Sequence, residues 1–352
     1  MLDEGIEKSD ANESSDIRID KIKLTSYRFF NEEVLLDCKS RSVLIYGGNG
    51  TGKSSIYKAL ELLIKKDIKS LDRSRNIFNE QNPEIEFTFS NTENESLILT
   101  PQENENIYEG YPFLSGLSIF SPMIDYKKLL KIHYSSANGD KQVNVFNMFK
   151  VLFKDYPIPT GDKVLNLSEI KDPLQYSETL KAILNTVLLK DINEYLDYFD
   201  KDFHIEEFKF GFESTQDNLI EPTVNIIIKF KDTLLEDTSR ENYHSFLNEA
   251  RLSALAISIY FASIRLLNGV LNRPSLKILV LDDIIISLDM KNRQIILDIL
   301  NNKFSDFQIF FFTHDSVVFE LFQTNTDWLA YTINHDLTSD KITFNPPESP
   351  LQ

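Results

Sequence analysis

Apolar and polar residues alternate along the first part of the chain, a pattern that predicts strands with one buried face. The alternation is clear in IRIDKIKLTSYRFF, EVLLDC, EIEFTFS and ESLILT. A short apolar run, SVLIY at residues 42–46, predicts a buried strand. The glycine-rich segment GGNGTGKSS follows, and after it apolar residues recur at helical spacing in SIYKALELLIKK. The pattern therefore predicts a strand, a glycine-rich loop and a helix in succession.

Residues 101–245 have a mixed pattern. We predict helices in YKKLLKIHY, NVFNMFKVLF and SETLKAILNTVLLKDINEYLDYFD, and then two strands in FHIEEFKFGFES and TVNIIIKFKD. This region contains no internal repeat and no sustained heptad run, which excludes a long coiled-coil arm.

The last third of the chain alternates between helices and strands. We predict a helix at Glu249–Leu271, a strand at Leu276–Leu281, a helix at Lys291–Asn301 and a strand at Phe307–Thr313, followed by a short helix and a hairpin. Strands that alternate with helices indicate an α/β protein with a parallel sheet. Ligands of such sheets bind beyond the carboxyl ends of the strands.

Composition narrows the class of protein. With 42% hydrophobic residues among 352, the chain can form a substantial core. The single cysteine, Cys38, excludes an intramolecular disulfide and a cysteine-based metal site, so we expect a cytoplasmic protein. The net charge of −17 argues against a protein that coats nucleic acid over its whole surface. Basic residues at 65–75 and 127–154 leave a local DNA-binding patch open, although solvated helix faces are the simpler interpretation.

We expect neither a targeting segment nor a membrane partner. Residues 1–16 are acidic and polar where a signal peptide would be basic and then apolar, so we predict a disordered tail. The most apolar helical segment, Leu252–Leu267, is interrupted by Arg265 and is shorter than the roughly 20 residues of a membrane span. It is predicted to be a buried helix.

Residues Gly47–Ser54 fit the phosphate-binding pattern G-x-x-x-x-G-K-[ST]. Glycines in this pattern let backbone N–H groups turn onto phosphate oxygens, the lysine reaches the β- and γ-phosphates, and the hydroxyl ligates Mg²⁺. The preceding strand and the following helix supply the expected context. The candidate ATP ligands are therefore Asn49, Gly50, Thr51, Gly52, Lys53, Ser54 and Ser55, with Ser54 also at the metal. A glycine-rich turn without a ligand is the alternative.

Two adjacent carboxylates, Asp282 and Asp283, interrupt the apolar segment ILVLDDIIISLD. Burying both would be costly unless a cation or hydrogen-bond donors meet them. A phosphate loop requires an acid at the tip of a second strand to hold Mg²⁺, and a further group to orient the attacking water. We therefore expect Asp282 at the metal and Asp283 as the catalytic base. Two acids that merely cap a core strand are the alternative.

These motifs resemble those of the ABC-type ATPases of the SMC, RecF and RecN group. The segment SLD at residues 287–289 is similar to the family's D-loop, and His314 in QIFFFTHD is similar to its switch histidine near the γ-phosphate. The opening IDKIKLTSYRFF resembles the first strand and arginine loop, which makes Arg28 a candidate contact. LSIFSPMIDYKKLL resembles a RecF-like segment in which the family's Q-loop glutamine is not evident, and Asp125 is the candidate substitute that the resemblance implies. The resemblance covers roughly residues 17–90 and 240–320.

The signature motif departs most from the family's pattern L-S-G-G-[EQ]. Residues Ser245–Glu249 take its place, with Glu249 retained and Leu247 and Asn248 at the two glycines. Asn248 is a good N-cap, so the helix start is expected to survive. Asp283 replaces the family's usual glutamate and is one methylene shorter. Because a misplacement of about 1 Å can cost on the order of 10²-fold in rate, we expect slow hydrolysis.

The resemblance implies a P-loop NTPase fold of the ABC-ATPase head type, with a mixed sheet core and an inserted α-rich lobe. We expect one bilobed head at residues 17–345. Its parts would be a phosphate-loop lobe (17–100), an inserted, mostly helical segment (101–245), and a lobe (246–345) that carries the signature helix, the paired acids and the switch histidine.

The resemblance also implies a function. FLNEARLSALAISIYFA and LVLDDIIISLDMKNR are similar to stand-alone ATPases of bacterial anti-phage systems of the Septu and PARIS type, which pair with a separate nuclease or toxin. We expect an ATPase with ATP and Mg²⁺ as its cofactors that pairs head to tail with a second copy and controls such an effector. Asn248, Glu249 and Asp289 would then face the partner's nucleotide. Two alternatives stay open: a RecF-like repair or replication ATPase on duplex DNA, and a scaffold that binds ATP without hydrolysing it.

Overall fold

A computed structural model describes residues 16–93, 95–120, 122–133, 145–160, 163–214, 220–235, 247–270, 276–286, 288–336 and 341–345. The described strands are β1 Arg18–Thr25, β2 Val34–Asp37, β3 Val43–Tyr46, β4 Glu84–Ser90, β5 Ser96–Leu99, β6 Met123–Asp125, β7 Pro157–Thr160, β8 Lys163–Asn166, β9 Phe203–Ser214, β10 Ile220–Phe230, β11 Thr233–Leu235, β12 Ile278–Asp282, β13 Gln308–Thr313, β14 Leu329–Asp336 and β15 Lys341–Asn345. The described α-helices are α1 Lys53–Lys65, α2 Leu117–Phe120, α3 Tyr126–His133, α4 Phe146–Leu152, α5 Pro173–Ala182, α6 Leu189–Phe199, α7 Glu249–Gly269, α8 Met290–Lys303 and α9 Ser316–Asn325.

The central sheet has the strand order β15-β14-β3-β13-β12-β6. All neighbouring pairs are parallel except the β14–β15 hairpin at one edge, so the predicted mixed sheet is confirmed. β3, β12 and β13 are almost wholly buried, as expected for parallel strands that are covered on both faces. Their register brings Tyr46, Asp282 and Thr313 to the same carboxyl edge.

A second, antiparallel sheet has the order β2-β1-β4-β5. β4 shows strict alternation between buried and half-buried residues, which is the pattern that predicted it. The buried Gln308 side chain joins the two sheets, because it accepts from the Ile19 N–H and donates to the Ile19 carbonyl, both at 2.7 Å. The central sheet that carries the phosphate loop is therefore hydrogen-bonded to the second sheet.

The inserted lobe contains the helices and the strand pair that the sequence predicts. α5 continues through a π-helical turn at Ile183–Leu188 into α6, and β9, β10 and β11 form a small antiparallel sheet. The β7–β8 hairpin was not predicted. β6 was not predicted either: it lies within the range predicted as inserted, yet it forms an edge of the central sheet beside β12.

α7 is the core helix of the molecule. By length and composition it could cross a membrane, but 78% of its most apolar window is buried inside the protein. The prediction of a buried helix is therefore confirmed. At 21 residues it is the longest uninterrupted α-helix among the described residues, none of which form a coiled-coil arm.

Candidate functional site

The phosphate loop joins β3 to α1 at the carboxyl edge of the central sheet. Gly50 and Gly52 have φ angles of 82° and 107°, in the region that favours glycine. A Cβ on Gly52 would lie 2.9 Å from Cε1 of Phe30, so a side chain has no room there. Lys53 is buried and donates to the carbonyls of Gly47 and Gly48, the latter at 3.0 Å. These hydrogen bonds to the Lys53 ammonium stabilise the conformation of the loop.

Lys53 and the paired carboxylates form an electrostatically strained cluster. Burial lowers the pKa of Lys53, while the charges of Asp283 and Asp282 oppose that shift. Burial and the neighbouring Asp283 raise the pKa of Asp282 to about 6, despite the opposing charge of Lys53. The Ser54 hydroxyl is exposed at the start of α1. Carboxylate and hydroxyl oxygens suit Mg²⁺, whose charge would relieve the repulsion between the two acids.

Asp283 is fixed by the turn after β12 and by His314. Its φ is 52°, and its N–H donates to the Phe312 carbonyl at 3.1 Å. Its carboxylate accepts from the His314 backbone N–H at 3.2 Å, and Oδ2 lies 2.9 Å from His314 Nδ1. A carboxylate held in this way has the arrangement of a base oriented by a second group.

Most of the predicted site residues line one cavity of about 580 Å³. These are Arg28, Asn49, Gly50, Thr51, Gly52, Lys53, Ser54, Ser55, Asp282 and Asp283. His314 is joined to this group through Asp283.

The same cavity is lined by a loop that the sequence analysis missed, Arg73–Phe78. This loop is tied to the arginine loop, because Arg28 N–H donates to the Ser74 carbonyl at 2.7 Å and the Asn76 side chain donates to the Arg28 carbonyl at 2.9 Å. Ile77 and Phe78 are 86% and 80% exposed at the cavity. The signal for this loop in the sequence is the pair of arginines at 73 and 75, which belong to the basic segment at 65–75.

Besides His314, three predicted residues lie outside this cavity. Asn248 caps α7 by accepting from Arg251 N–H at 2.9 Å, which confirms its predicted capping, and exposed Glu249 follows in the first turn. Asp289 caps α8 in the same manner, through Asn292 N–H at 2.9 Å. Ser245, which opens the predicted signature motif, and Ser287 of the predicted D-loop lie outside the described residues.

Asp125 lies opposite Asp282 in the β6–β12 register. Its carboxylate accepts from the Tyr57 hydroxyl at 3.0 Å and from Lys128 N–H at 2.8 Å. Within the described ranges, no three His, Cys, Asp or Glu side chains gather as a metal cluster. Any Mg²⁺ here would depend on few protein ligands and on phosphate oxygens, as is usual for nucleotide-bound Mg²⁺.

The fold and the site together define a P-loop ATPase head. Residues 21–243 match the family described as AAA domain, and the chain belongs to this family. The sequence matches no curated protein.

Solved SMC heads share the fold. An SmcHead bound to the C-winged helix domain of ScpA is 13% identical with a TM-score of 0.59, over 94% of this chain and 98% of that one. The Pyrococcus furiosus Smc head with an extended coiled coil, bound to the C-terminal domain of ScpA, is 12% identical with a TM-score of 0.55, over 94% and 96%. The predicted SMC-like, ABC-type head fold is confirmed.

Proposed function

We propose that the protein is a Mg²⁺-dependent ATPase that hydrolyses ATP slowly and acts as a switch. The observation that carries the proposal is the single cavity in which the Lys53 loop, Asp282 and Asp283 meet. The loop N–H groups, Lys53 and Ser55 would bind the phosphates, with Arg28 and Arg73 along the same wall. Ser54 and Asp282 would hold Mg²⁺, which neutralises phosphate charge when bound.

Asp283 is the proposed base, and His314 the group that holds it. With its Oδ2 fixed 2.9 Å from His314 Nδ1, Asp283 would orient the attacking water and accept its proton. His314 would also meet the γ-phosphate. The short reach of the aspartate side chain is the reason to expect slow turnover.

ATP would close a head-to-tail dimer, and hydrolysis would reopen it. Asn248 and Asp289 are exposed N-caps outside their own chain's cavity, and in the proposed dimer they would face the second copy's nucleotide. Exposed apolar side chains beside these elements support association: Ile286 is 41%, Met290 49% and Val317 48% exposed.

The proposed biological role is control of a separate nuclease or toxin in anti-phage defence, which rests on the sequence resemblance. Two of the solved SMC heads hold a partner protein, which supports a protein partner here. Duplex DNA is less well supported, because three of the five basic residues at 65–75 form ion pairs with carboxylates. Lys65 pairs with Glu61, Lys69 with Glu105 and Arg75 with Asp72.

The test is steady-state ATP hydrolysis with Mg²⁺, together with the mass in solution with and without ATP. Lys53→Ala is expected to lose binding and turnover, and Asp283→Asn to lose turnover but retain an ATP-bound dimer. Lys58→Ala, a partly exposed lysine on the same helix, is the matched control and should behave as the unmodified protein. Binding of ATP without hydrolysis and without a change in mass would instead establish the scaffold alternative.

A further inference from the structure

Arg251, in the first turn of α7, contacts the inserted lobe through its side chain. Its Nε and Nη2 both donate to Oδ2 of Asp200, at 3.3 and 3.1 Å. Its guanidinium carbon lies 4.6 Å from the ring centre of Phe230. Asp200 directly follows α6, and Phe230 ends β10. One residue of the ATPase head therefore contacts two separate elements of the inserted lobe.

The same turn carries the cap that we propose to face the partner's nucleotide. The backbone N–H of Arg251 donates to Asn248 Oδ1 at 2.9 Å, and that of Leu252 donates to the Asn248 carbonyl at 3.1 Å. First turns of helices fray readily, since their N–H groups lack partners within the helix. Arg251 counters this tendency because its side chain holds the turn against the inserted lobe. Its planar guanidinium can bind a carboxylate and pack on an aromatic ring at the same time.

α6 also contacts both helices that begin at the proposed dimer contacts. Tyr195 of α6 packs edge-on against Phe261 of α7, with ring centres 6.0 Å apart. Glu194 of α6 forms an ion pair with Lys303 at the end of α8. A displacement of α6 would thus be felt by α7, which begins after Asn248, and by α8, which begins after Asp289.

We propose that Arg251 is a positioning residue that couples the inserted lobe to the composite nucleotide site. Asp200 and Phe230 hold the start of α7 in the position that meets the second copy's ATP. The inserted lobe would then be the regulatory part of the protein. A partner protein that binds there and displaces α6 or β10 would change ATP-driven association. The inference rests on the proposed function, since it assigns a task to the same helix start.

The first test measures the coupling without nucleotide, by hydrogen exchange at the amides of residues 251–254. Asp200→Asn and Arg251→Lys are expected to raise the exchange rate of these amides by about tenfold, because both substitutions weaken the contact between residues 200 and 251 that holds the turn. Arg265→Ala is the matched control: Arg265 lies on the same helix and pairs with Asp306 at 2.7 Å, within the ATPase lobe. Exchange that is unchanged in both test variants, or raised equally by the control, overturns the coupling.

The second test measures self-association with Mg²⁺-ATP. Asp200→Asn and Arg251→Lys are expected to weaken it about fivefold to tenfold, while ADP affinity stays unchanged because the phosphate loop is intact. The exchanged pair Asp200→Arg with Arg251→Asp should recover part of the loss. Stronger association in Asp200→Asn would show that the contact inhibits dimer formation, and it would overturn the proposal. If the unmodified protein never associates, the proposed function fails, and the exchange result still decides the coupling.

Discussion

At the scale of single residues, Gly52 is the position at which the site tolerates least change. Its φ of 107° strains any L side chain, and a Cβ would lie 2.9 Å from the Phe30 ring. We expect Gly52→Ala to lower the free energy of unfolding by about 2 to 4 kcal/mol and to abolish ATP binding. Chemical denaturation and nucleotide titration measure both.

Gly50→Ala is the matched control for this substitution. Gly50 also has a positive φ, 82°, but a Cβ there would meet no atom within 4 Å. It should cost only about 1 kcal/mol of backbone strain. Equal losses in the two variants would show that strain alone, and not the contact with Phe30, limits the loop.

Asp282 is expected to lower the stability of the nucleotide-free fold while it contributes to Mg²⁺ binding, and the two effects can be measured separately. Its pKa of about 6 lies above the usual 3.8, so the ionised carboxylate destabilises the nucleotide-free fold above pH 6. Asp282→Asn is therefore expected to raise the free energy of unfolding at pH 8 by about 1 to 3 kcal/mol.

The advantage of Asp282→Asn should shrink as the pH falls from 8 towards 4. The folded unmodified protein takes up the proton first and loses the penalty, so its stability rises over this range. The variant should also lose the extra stabilisation that Mg²⁺ with ATP gives, measured by thermal unfolding with and without both. A variant less stable at pH 8 would contradict the prediction.

At the scale of elements, the start of α7 combines stability with the proposed dimer contact. Asn248→Ala removes the cap and should cost about 1 kcal/mol of stability. Asn248→Asp keeps the cap and suits the helix dipole, so stability should be retained. Its negative charge would nevertheless repel the second copy's γ-phosphate, and ATP-driven association should fall. Association that is unaffected by Asn248→Asp would remove α7 from the interface.

The elements that the sequence predicted well are those with strong periodicity and many buried positions. EIEFTFS was predicted as a strand and forms β4 over the same residues, because alternation and burial agree along it. The predicted helix at Lys291–Asn301 extends to Met290–Lys303, since the cap at Asp289 fixes its start. β6 has only three residues, too few for a period, and its pairing with β12 depends on a partner far along the chain.

The same difference between local patterns and distant contacts explains which parts of the site could be predicted. The phosphate loop was predictable because its glycines, lysine and serine are contiguous, and its chemistry is local. Arg73–Phe78 was not, because an irregular loop reaches the cavity through hydrogen bonds to Ser26 and Arg28, more than forty residues earlier. The Asp283–His314 contact was not predicted, since it depends on the parallel register of β12 and β13.

At the scale of the whole molecule, the net charge of −17 bears on how two copies meet. The proposed association would bury exposed apolar side chains such as Met290 but bring two acidic molecules together, so electrostatic repulsion between the copies would oppose it at low salt. Raising the ionic strength from about 0.05 to 0.3 M shortens the screening length and should strengthen the ATP-bound dimer about threefold or more.

The DNA alternative predicts the opposite dependence on salt. Binding to duplex DNA would release counterions and weaken steeply over the same range, by orders of magnitude if several phosphates were contacted. Analytical ultracentrifugation of Asp283→Asn with Mg²⁺-ATP, with and without a short duplex, distinguishes the two. A dimer that strengthens with salt and ignores the duplex fits a switch that acts through a protein partner. A complex that forms only with the duplex, and dissociates as the salt concentration rises, would support the alternative of a DNA-binding ATPase.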